Sequence, residues 1–217
     1  MNTFSCDRCA THNVRFCRTY KPEDFIEGDP YSPIWIIGIN PAESGDWPDG
    51  RSTHDLAQSF SENAKKTGYF RDFRVVSPRL FERLGIAHGV AHTDLVKCSS
   101  PSWPPADVRS RAASEIVTNC SGYLEKQIRR FRPKMLICNG SAVCEYIRDI
   151  IKPSDATELT TSYVGKIDEH SITVVLSGFI GRIDNHSRRR LGREIEECAR
   201  GLGIEGFDDS APSGSRA

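Results

Sequence analysis

The sequence predicts an α/β protein, a three-layer α/β/α sandwich around a central, mainly parallel four-stranded sheet. Two observations predict this fold class. Short, continuous apolar runs such as Ile34–Gly38 and Met135–Cys138 are typical of strands that are buried on both faces. Segments with helical periodicity separate these runs, and strands that alternate with helices form parallel sheets covered on both sides.

The individual elements are predicted in chain order from short apolar runs and from helical spacing. The predicted strands are Ile34–Gly38, Val90–Val96, Met135–Cys138 and Thr173–Leu176. The predicted helices are Thr53–Lys66, Pro78–Leu84, a long helix from Ala106, Ser141–Ile151 and Ser187–Arg200. The long helix is predicted because apolar residues recur every three or four positions from Val117 to Phe131, and Pro133 ends it.

Length and composition are those of one domain. We assign the domain to residues 1–206 of the 217, with residues 1–30 as an N-terminal arm and residues 207–217 as a disordered Ser/Gly/Pro/Asp-rich tail. No apolar run approaches the roughly 20 residues that cross a bilayer, and the first residues do not resemble a signal peptide. We therefore expect a cytoplasmic monomer with no membrane partner.

The charges balance, with 29 Lys and Arg against 29 Asp and Glu. This balance argues against a broadly polycationic protein, but a local basic patch is compatible with binding to nucleic acid. Two basic groups are predicted. One comprises Arg129, Arg130, Arg132 and Lys134, and the other comprises Arg182, Arg188, Arg189, Arg190 and Arg193.

Polar residues follow each predicted strand, where open parallel sheets bind their ligands. These strand ends are Asn40-Pro41, Asp94–Cys98, Asn139-Gly140 and Ser177–Phe179. We therefore place the candidate site at this edge, with Asn139 and Ser177 among the substrate-binding candidates.

Eight cysteines are the most distinctive feature of the composition. Cys6 and Cys9 have the spacing with which two thiolates hold one metal centre from a single turn. Together with Cys98 and Cys120 they could hold a 4Fe–4S cluster that fixes the arm to the body. A zinc site built from Cys6, Cys9, Cys17 and His12 is the alternative. Buried free cysteines are common in cores, and this is the expectation for Cys138, Cys144 and Cys198.

Four ordered segments resemble the uracil-DNA glycosylase superfamily, especially its iron–sulfur branch. They are the Cys6–Cys9 pair, Gly38–Pro41 after a buried strand, His92–Cys98, and Cys120 followed by Pro133–Gly140. The resemblance covers roughly residues 4–195. It implies an α/β/α fold that acts on DNA, with a 4Fe–4S cluster bound by Cys6, Cys9, Cys98 and Cys120.

The first strand ends in Gly-Ile-Asn-Pro, which departs from the iron–sulfur branch and resembles the mismatch-specific and thymine-DNA glycosylase branches. In those branches the asparagine holds the hydrolytic water, and the matching residue is Asn40. A residue that only forms a turn before Pro41 is the alternative interpretation of Asn40.

The second departure is Asp94, which stands where the superfamily usually has an asparagine that pairs with uracil. An ionised carboxylate only accepts hydrogen bonds, so it suits the exocyclic amine of a cytosine-like base and repels the O4 carbonyl of uracil. A surface aspartate that caps a loop is the alternative.

The third departure follows the last strand, where the familiar His-Pro-Ser is missing. The superfamily uses this loop to penetrate the duplex, so Phe179 or Ile180 is predicted to be the intercalating residue. His186 is a candidate for the lost imidazole, which would stabilise charge on the departing base. Predicted phosphate contacts are Arg182, Arg188, Arg189 and Arg190. A solvated helix face is the alternative for these arginines.

Further substrate-binding candidates lie in the loops. Glu43, Asp46 and Trp47 follow Asn40 closely enough to line the pocket. Aromatic candidates for stacking on an extruded base are Tyr69, Phe70 and Phe73, which could equally be core residues.

Taken together, these features predict a monofunctional DNA glycosylase that removes a modified pyrimidine, a cytosine derivative, and leaves an abasic site. Bacterial defence against phages with modified cytosine is one setting for such an activity. Conventional uracil or mismatch repair is the alternative within the same class. A catalytically silent iron–sulfur module that binds nucleic acid is the alternative from another class.

Overall fold

A computed structural model describes residues 3–42, 50–100, 102–105, 110–154 and 161–208. The strands are β1 (Phe4–Cys6), β2 (Phe16–Arg18), β3 (Ile34–Gly38), β4 (Val90–Asp94), β5 (Met135–Asn139), β6 (Ser162–Ile167) and β7 (His170–Ser177). The α-helices are α1 (Thr53–Asn63), α2 (Gly68–Arg71), α3 (Phe73–Val76), α4 (Pro78–Glu82), α5 (Ser110–Phe131), α6 (Ser141–Ile150) and α7 (Asn185–Gly201). Short 3-10 turns are Ala10–His12, Pro22–Asp24, Ala64–Lys66 and Ile180–Arg182.

The central sheet of the described residues has five strands in the order β4-β3-β5-β7-β6, one more than the sequence predicted. β4, β3, β5 and β7 are parallel, and β6 pairs antiparallel with β7 at the edge. The prediction of four strands was therefore wrong. The sequence did not predict β6, because an edge strand keeps part of its side chains in solvent and Ser162–Ile167 therefore has no continuous apolar run.

Helices cover both faces of the sheet. Successive side chains of a strand point to opposite faces, so Ile34 and Ile36 pack in one core while Trp35 and Ile37 pack in the other. The first core contains apolar residues of α1 to α4 and α7, and the second contains those of α5 and α6. The predicted α/β class with a mainly parallel sheet is confirmed.

The N-terminal arm forms a third, smaller core. β1 and β2 pair as an antiparallel hairpin, which the sequence did not predict because each strand has three residues. The ring of Tyr20 contacts those of Phe16 and Phe25. This aromatic cluster packs against Ile116 and Cys120 of α5.

Several boundaries differ from the predictions. Helix α1 ends at Asn63 and not at Lys66, β4 ends at Asp94 and not at Val96, and β7 begins at His170 and not at Thr173. The long helix is described from Ser110, and residues 106–109 lie outside the described part of the chain. Phe207 is fully buried in the main core, so the prediction that the disordered tail includes this residue was wrong, because its ring contributes to packing. Residues 209–217 lie outside the described residues. Within the described residues, no helix combines the length and the apolar character that crossing a membrane requires.

Candidate active site

A pocket of about 530 Å³ opens at the carboxyl ends of the parallel strands. Strand register places these ends at one level, because Gly38 pairs with Asp94 and Asn139 with Ser177. The walls come from the arm, the loops after β3, β4 and β5, helix α2 and the loop after β7. They include Phe25, Glu27, Asn40, Tyr69, Phe70, His92, Asp94, Trp103, Asn139, Phe179 and Arg182.

Three polar groups converge over Gly38, the last residue of β3. A Cβ atom at this glycine would lie 2.3 Å from Oδ1 of Asp94, 3.0 Å from Nε2 of His92 and 3.1 Å from the hydroxyl of Tyr69. Asp94 is 2% exposed, so it is a buried pocket residue and not a surface cap. The absence of a side chain at Gly38 is what leaves room for this polar group of side chains.

His92 is a pocket residue that the sequence prediction missed. Its Nδ1 lies 2.6 Å from Oε2 of Glu27, and its Nε2 lies 3.8 Å from Oδ1 of Asp94. Burial by itself lowers the pKa of His92, but the carboxylates of Asp94 and Glu27 outweigh burial, and the pKa is raised above its ordinary value. The available signal was its position two residues before Asp94, since alternate residues of a strand share one face.

Asn139 and Tyr69 form a hydrogen-bonded pair that also lines the pocket. The amide Nδ2 of Asn139 donates to the Tyr69 hydroxyl at 2.7 Å, and its Oδ1 accepts from the backbone N–H of Ile180 at 2.8 Å. Asn139 therefore links α2 to the loop after β7. Burial first, and then the negative charge of Asp94, raise the pKa of the Tyr69 phenol, which stays neutral. Phe70 places its ring edge-on against His92 at 5.0 Å.

Asn40 is held at the mouth of the pocket by its amide nitrogen. Nδ2 donates to the carbonyl of Pro41 at 3.1 Å and to that of Ser100 at 3.2 Å. Since both neighbours are acceptors, the donor end of the amide must face them. The acceptor Oδ1 is thereby left to other partners, and a water molecule is one partner that it can orient.

The loop after β7 presents one aromatic residue to solvent. Phe179 is 40% exposed and lines the pocket, with its ring 6.4 Å from that of Tyr69. Ile180, predicted as its alternative, is 1% exposed because its side chain fills the core beneath the loop. Of the two, only Phe179 has a side chain that can reach DNA. The hydroxyl of Ser177 donates to the carbonyl of Cys138 at 2.9 Å, inside the sheet and away from the pocket walls.

The predicted basic and histidine residues of this region differ in their surroundings. Arg182 lies over the ring of Phe179 at 5.9 Å, and Arg189 and Arg190 are exposed. Arg188 instead holds the loop, because it donates to the Ile180 carbonyl at 3.0 Å and pairs with Asp72 at 3.1 Å. His186 is exposed in the first turn of α7 and is not among the described residues that line the pocket. The predicted pocket residues Glu43 and Asp46, with Trp47, lie outside the described residues.

The structure brings the four predicted metal-binding cysteines together. The thiols of Cys9 and Cys98 donate to the sulfur of Cys120, which raises the pKa of both donors and lowers that of Cys120. Cys6 joins the same cluster beside the Tyr123 hydroxyl, at 3.7 Å. Over the described ranges, no three or more His, Cys, Asp or Glu side chains are arranged so that they could hold a metal ion.

The remaining cysteines are separate from this cluster. Cys138 is buried in β5, and Cys144 donates to the carbonyl of Ser177 at 3.2 Å. Cys17 lies on β2 and is not a member of the arm core, and His12 approaches Glu115 at 3.3 Å. Neither the 4Fe–4S set nor the alternative zinc set is arranged as metal ligands within the described residues.

The fold and the position of the pocket agree with a comparison against known families. The model of the family described as the uracil DNA glycosylase superfamily matches residues 25–178. This match spans the parallel strands of the sheet, Asn40 and Asp94, whereas Cys6, Cys9 and the loop from Phe179 onwards lie outside it. No curated protein matches the chain. Members of this superfamily are DNA glycosylases that bind DNA, and since the match covers well over half of the sequence, the chain belongs to the uracil DNA glycosylase superfamily.

Proposed function

We propose that the protein is a monofunctional DNA glycosylase that hydrolyses the N-glycosidic bond of a modified cytosine extruded from DNA. The observation that carries the proposal is the buried carboxylate of Asp94 on the pocket wall. The modified cytosine of phage genomes is one source of such a substrate, in an antiviral setting.

The choice of base depends on the hydrogen bonds that Asp94 can make. A carboxylate accepts hydrogen bonds, and the exocyclic N4 amine of cytosine offers one. Uracil presents the O4 carbonyl at the same position, and two acceptors facing each other in a buried pocket repel. Leaving a buried group unsatisfied is costly enough that a pocket built for one pattern rejects the other by a factor of about 10⁴.

Hydrolysis needs a water molecule placed beside C1′ of the sugar. The fixed amide of Asn40 supports this role, because its donor end is occupied by two carbonyls and its acceptor end can orient water. The described residues that line the pocket include no lysine. None of these described residues can therefore form the Schiff base that a bifunctional glycosylase and lyase needs, which supports a monofunctional reaction.

Duplexes that carry one target base each provide the test of this activity. The set comprises uracil, cytosine, 5-methylcytosine, 5-hydroxymethylcytosine and glucosylated 5-hydroxymethylcytosine, and abasic sites are detected as alkali-labile breaks. We expect cleavage of a modified-cytosine duplex, little cleavage of uracil, and loss of cleavage but not of DNA binding in Asn40→Ala. Preferred cleavage of uracil would contradict the assigned base, and no abasic product from any duplex would contradict the enzyme.

Asp94→Asn tests the origin of base selection. The amide keeps the shape of the carboxylate but adds a donor, so the ratio of uracil to cytosine cleavage should rise by about 10²-fold or more. The wild-type protein and Asp55→Asn, at an exposed position in the first turn of α1, are the controls. An unchanged ratio in Asp94→Asn would remove Asp94 from base recognition.

We also propose that Cys6, Cys9, Cys98 and Cys120 hold a 4Fe–4S cluster, as in the iron–sulfur branch of the superfamily. The four cysteines share one largely apolar cluster, which supports the proposal because thiolates are the usual cluster ligands, although their side chains are not spaced as ligands of one metal ion in this structure. Two of them belong to the arm and two to the body. A bound cluster would supply a covalent link between these parts, and we assign it no step in hydrolysis.

Metal content after anaerobic purification tests this proposal. We expect about four iron atoms per chain with a broad absorption near 400 nm, both lost in Cys120→Ser. Cys198→Ser, half-buried on α7, is the matched control and should keep its iron. A colourless protein that contains zinc in place of iron would contradict the cluster.

A further inference from the structure

His92 is a buried pocket residue that the proposed reaction has not used. Its side chain is 7% exposed, and its Nε2 has no hydrogen-bond partner among the described residues. The same nitrogen lies at the point above Gly38 where Asp94 and the Tyr69 hydroxyl also converge. A buried polar atom without a partner costs free energy, and a bound substrate that supplies the partner would remove this cost.

The surroundings of the ring fix which nitrogen faces the substrate. Nδ1 lies 2.6 Å from the carboxylate of Glu27, which can only accept, so the first proton belongs on Nδ1. Glu27 is itself fixed, because it exchanges two backbone hydrogen bonds of 2.8 and 2.9 Å with residue 92. The rings of Tyr69 and Phe70 pack edge-on against the imidazole. Nε2 is therefore the nitrogen that takes up or gives up a proton.

The charges around the ring favour the doubly protonated imidazole. Glu27 faces it from the arm and Asp94 from the same strand, while the phenol of Tyr69 is neutral. Lys97, beyond the end of β4, opposes protonation but contributes less than the two carboxylates. Phe60 of α1 adds an uncharged ring. In this form Nε2–H is a donor directed at the pocket beside Asp94.

We propose that His92 is a catalytic residue that donates a proton to the departing base, and that Glu27 is the positioning residue that orients it. This inference rests on the proposed glycosylase function. The two neighbouring groups match the edge of cytosine, where the N4 amine is a donor and the adjacent N3 is an acceptor. Asp94 would accept from N4 while Nε2–H of His92 donates to N3.

The step balances in protons and electrons. The C1′–N1 bond breaks and its electron pair stays with the base, while the proton of Nε2 moves to N3, so the base leaves neutral instead of as an anion. Water adds its oxygen to C1′ and releases one proton, which restores the imidazolium. Water is consumed, and free base and an abasic sugar result. The imidazole would thus come from β4, whereas His186 is exposed on α7.

The test compares His92→Gln, Glu27→Gln and wild type on the duplex that the wild type cleaves, under single-turnover conditions across pH. General acids contribute about 10²–10⁴-fold, so we expect His92→Gln to lose at least about 10²-fold in rate while DNA binding is kept. His88→Asn, an exposed histidine beside Asp29, is the control and should cleave at the wild-type rate.

Glu27→Gln is tested by the pH dependence of its cleavage rate, which would not shift if Glu27 had a purely structural role. This measurement also tests the role of His92 if His92→Gln fails to fold. The wild-type rate should fall as pH rises through the raised pKa of His92, because the imidazolium is lost. Replacing the Glu27 carboxylate by an amide lowers that pKa, so the falling limb should shift to lower pH. An unshifted limb in Glu27→Gln, or wild-type cleavage by His92→Gln, would overturn the role of His92 and leave the glycosylase intact. Failure of the wild type to cleave any duplex would overturn both.

Discussion

Gly38 decides whether the polar pocket can form, although it makes no side-chain contact itself. The carboxylate of Asp94 passes so close to the end of β3 that a Cβ atom at residue 38 would lie 2.3 Å from Oδ1. Carbon and oxygen atoms that are not bonded need well over 3 Å. The backbone of a strand accepts alanine readily, so the requirement for glycine at this position comes from the pocket and not from the strand.

Gly38→Ala should therefore impair the site more than the fold. The added methyl must displace Asp94, His92 or Tyr69, and overpacking of this kind costs about 1–3 kcal/mol of unfolding free energy. We expect a correspondingly lower melting temperature in a calorimetric scan, together with loss of cleavage of the preferred duplex.

Gly122→Ala provides the matched control. Gly122 lies in α5, and a Cβ atom there would meet nothing within 4 Å. Alanine in a helix interior is favoured over glycine by about 0.5–1 kcal/mol, so this variant should melt at or above the wild-type temperature with full activity. If Gly38→Ala behaves like Gly122→Ala, the described crowding above β3 is not what positions the carboxylate.

At the residue scale, sequence patterns predicted those pocket residues that follow a strand or stand in a motif. Asn40, Asp94 and Asn139 line one pocket because parallel strands end at one edge of the sheet. His92 was missed although its spacing from Asp94 placed both residues on one face of β4, because its partner Glu27 lies 65 residues away along the chain. Ile180 could not be separated from Phe179, since which of two adjacent apolar residues faces solvent is set by tertiary packing.

At the scale of elements, the parallel strands and the longer helices were predicted from their periodicity, although β7 begins three residues before its predicted start and α1 ends three residues before its predicted end. β3 was predicted with its observed bounds, and α7 differs by two residues at its start and one at its end. α2 and α3 were missed because four-residue helices are too short to show a repeat. Their position depends on a distant contact, because Gly192 of α7 lets that helix approach α3 so closely that a Cβ would lie 1.6 Å from the Val76 carbonyl.

A buried hydrogen-bond network joins the arm to the pocket. Lys97, immediately before Cys98, donates to Thr93 of β4 at 2.8 Å and to Gln127 of α5 at 2.7 Å. Thr93 and Gln127 both donate to the carbonyl of Phe25, at 2.7 and 2.8 Å. Phe25 is a pocket wall and belongs to the same segment as Glu27. The arm therefore carries Cys6 and Cys9 and also supplies part of the pocket wall.

For the whole molecule, the zero net charge hides an uneven distribution. The basic group at residues 129–134 precedes β5, so it lies at the end of the sheet opposite to the pocket. Arg129 pairs with Glu125 and Asp168, and Arg130 pairs with Asp24 at 3.1 Å. The second basic group follows β7, whose carboxyl end lies at the pocket edge of the sheet. Arg189 and Arg190 of this group are exposed on α7. The sequence marked both groups as basic and placed the predicted phosphate contacts in the second, which is the group that shares an edge with the pocket.

The salt dependence of DNA binding should therefore separate the two groups. Each phosphate contact adds about 0.9 to the slope of log affinity against log salt, because it releases counterions from the duplex. Replacing Arg189 and Arg190 by glutamine should weaken binding and reduce this slope by up to about 1.8, measured by fluorescence anisotropy with a labelled duplex. The matched pair Arg130→Gln and Arg132→Gln removes the same formal charge at the opposite end of the sheet and should leave the slope at its wild-type value. Equal losses of affinity and slope in both double variants would mean that binding depends only on the total charge of the protein. The arginines beside the pocket would then contact no defined phosphates.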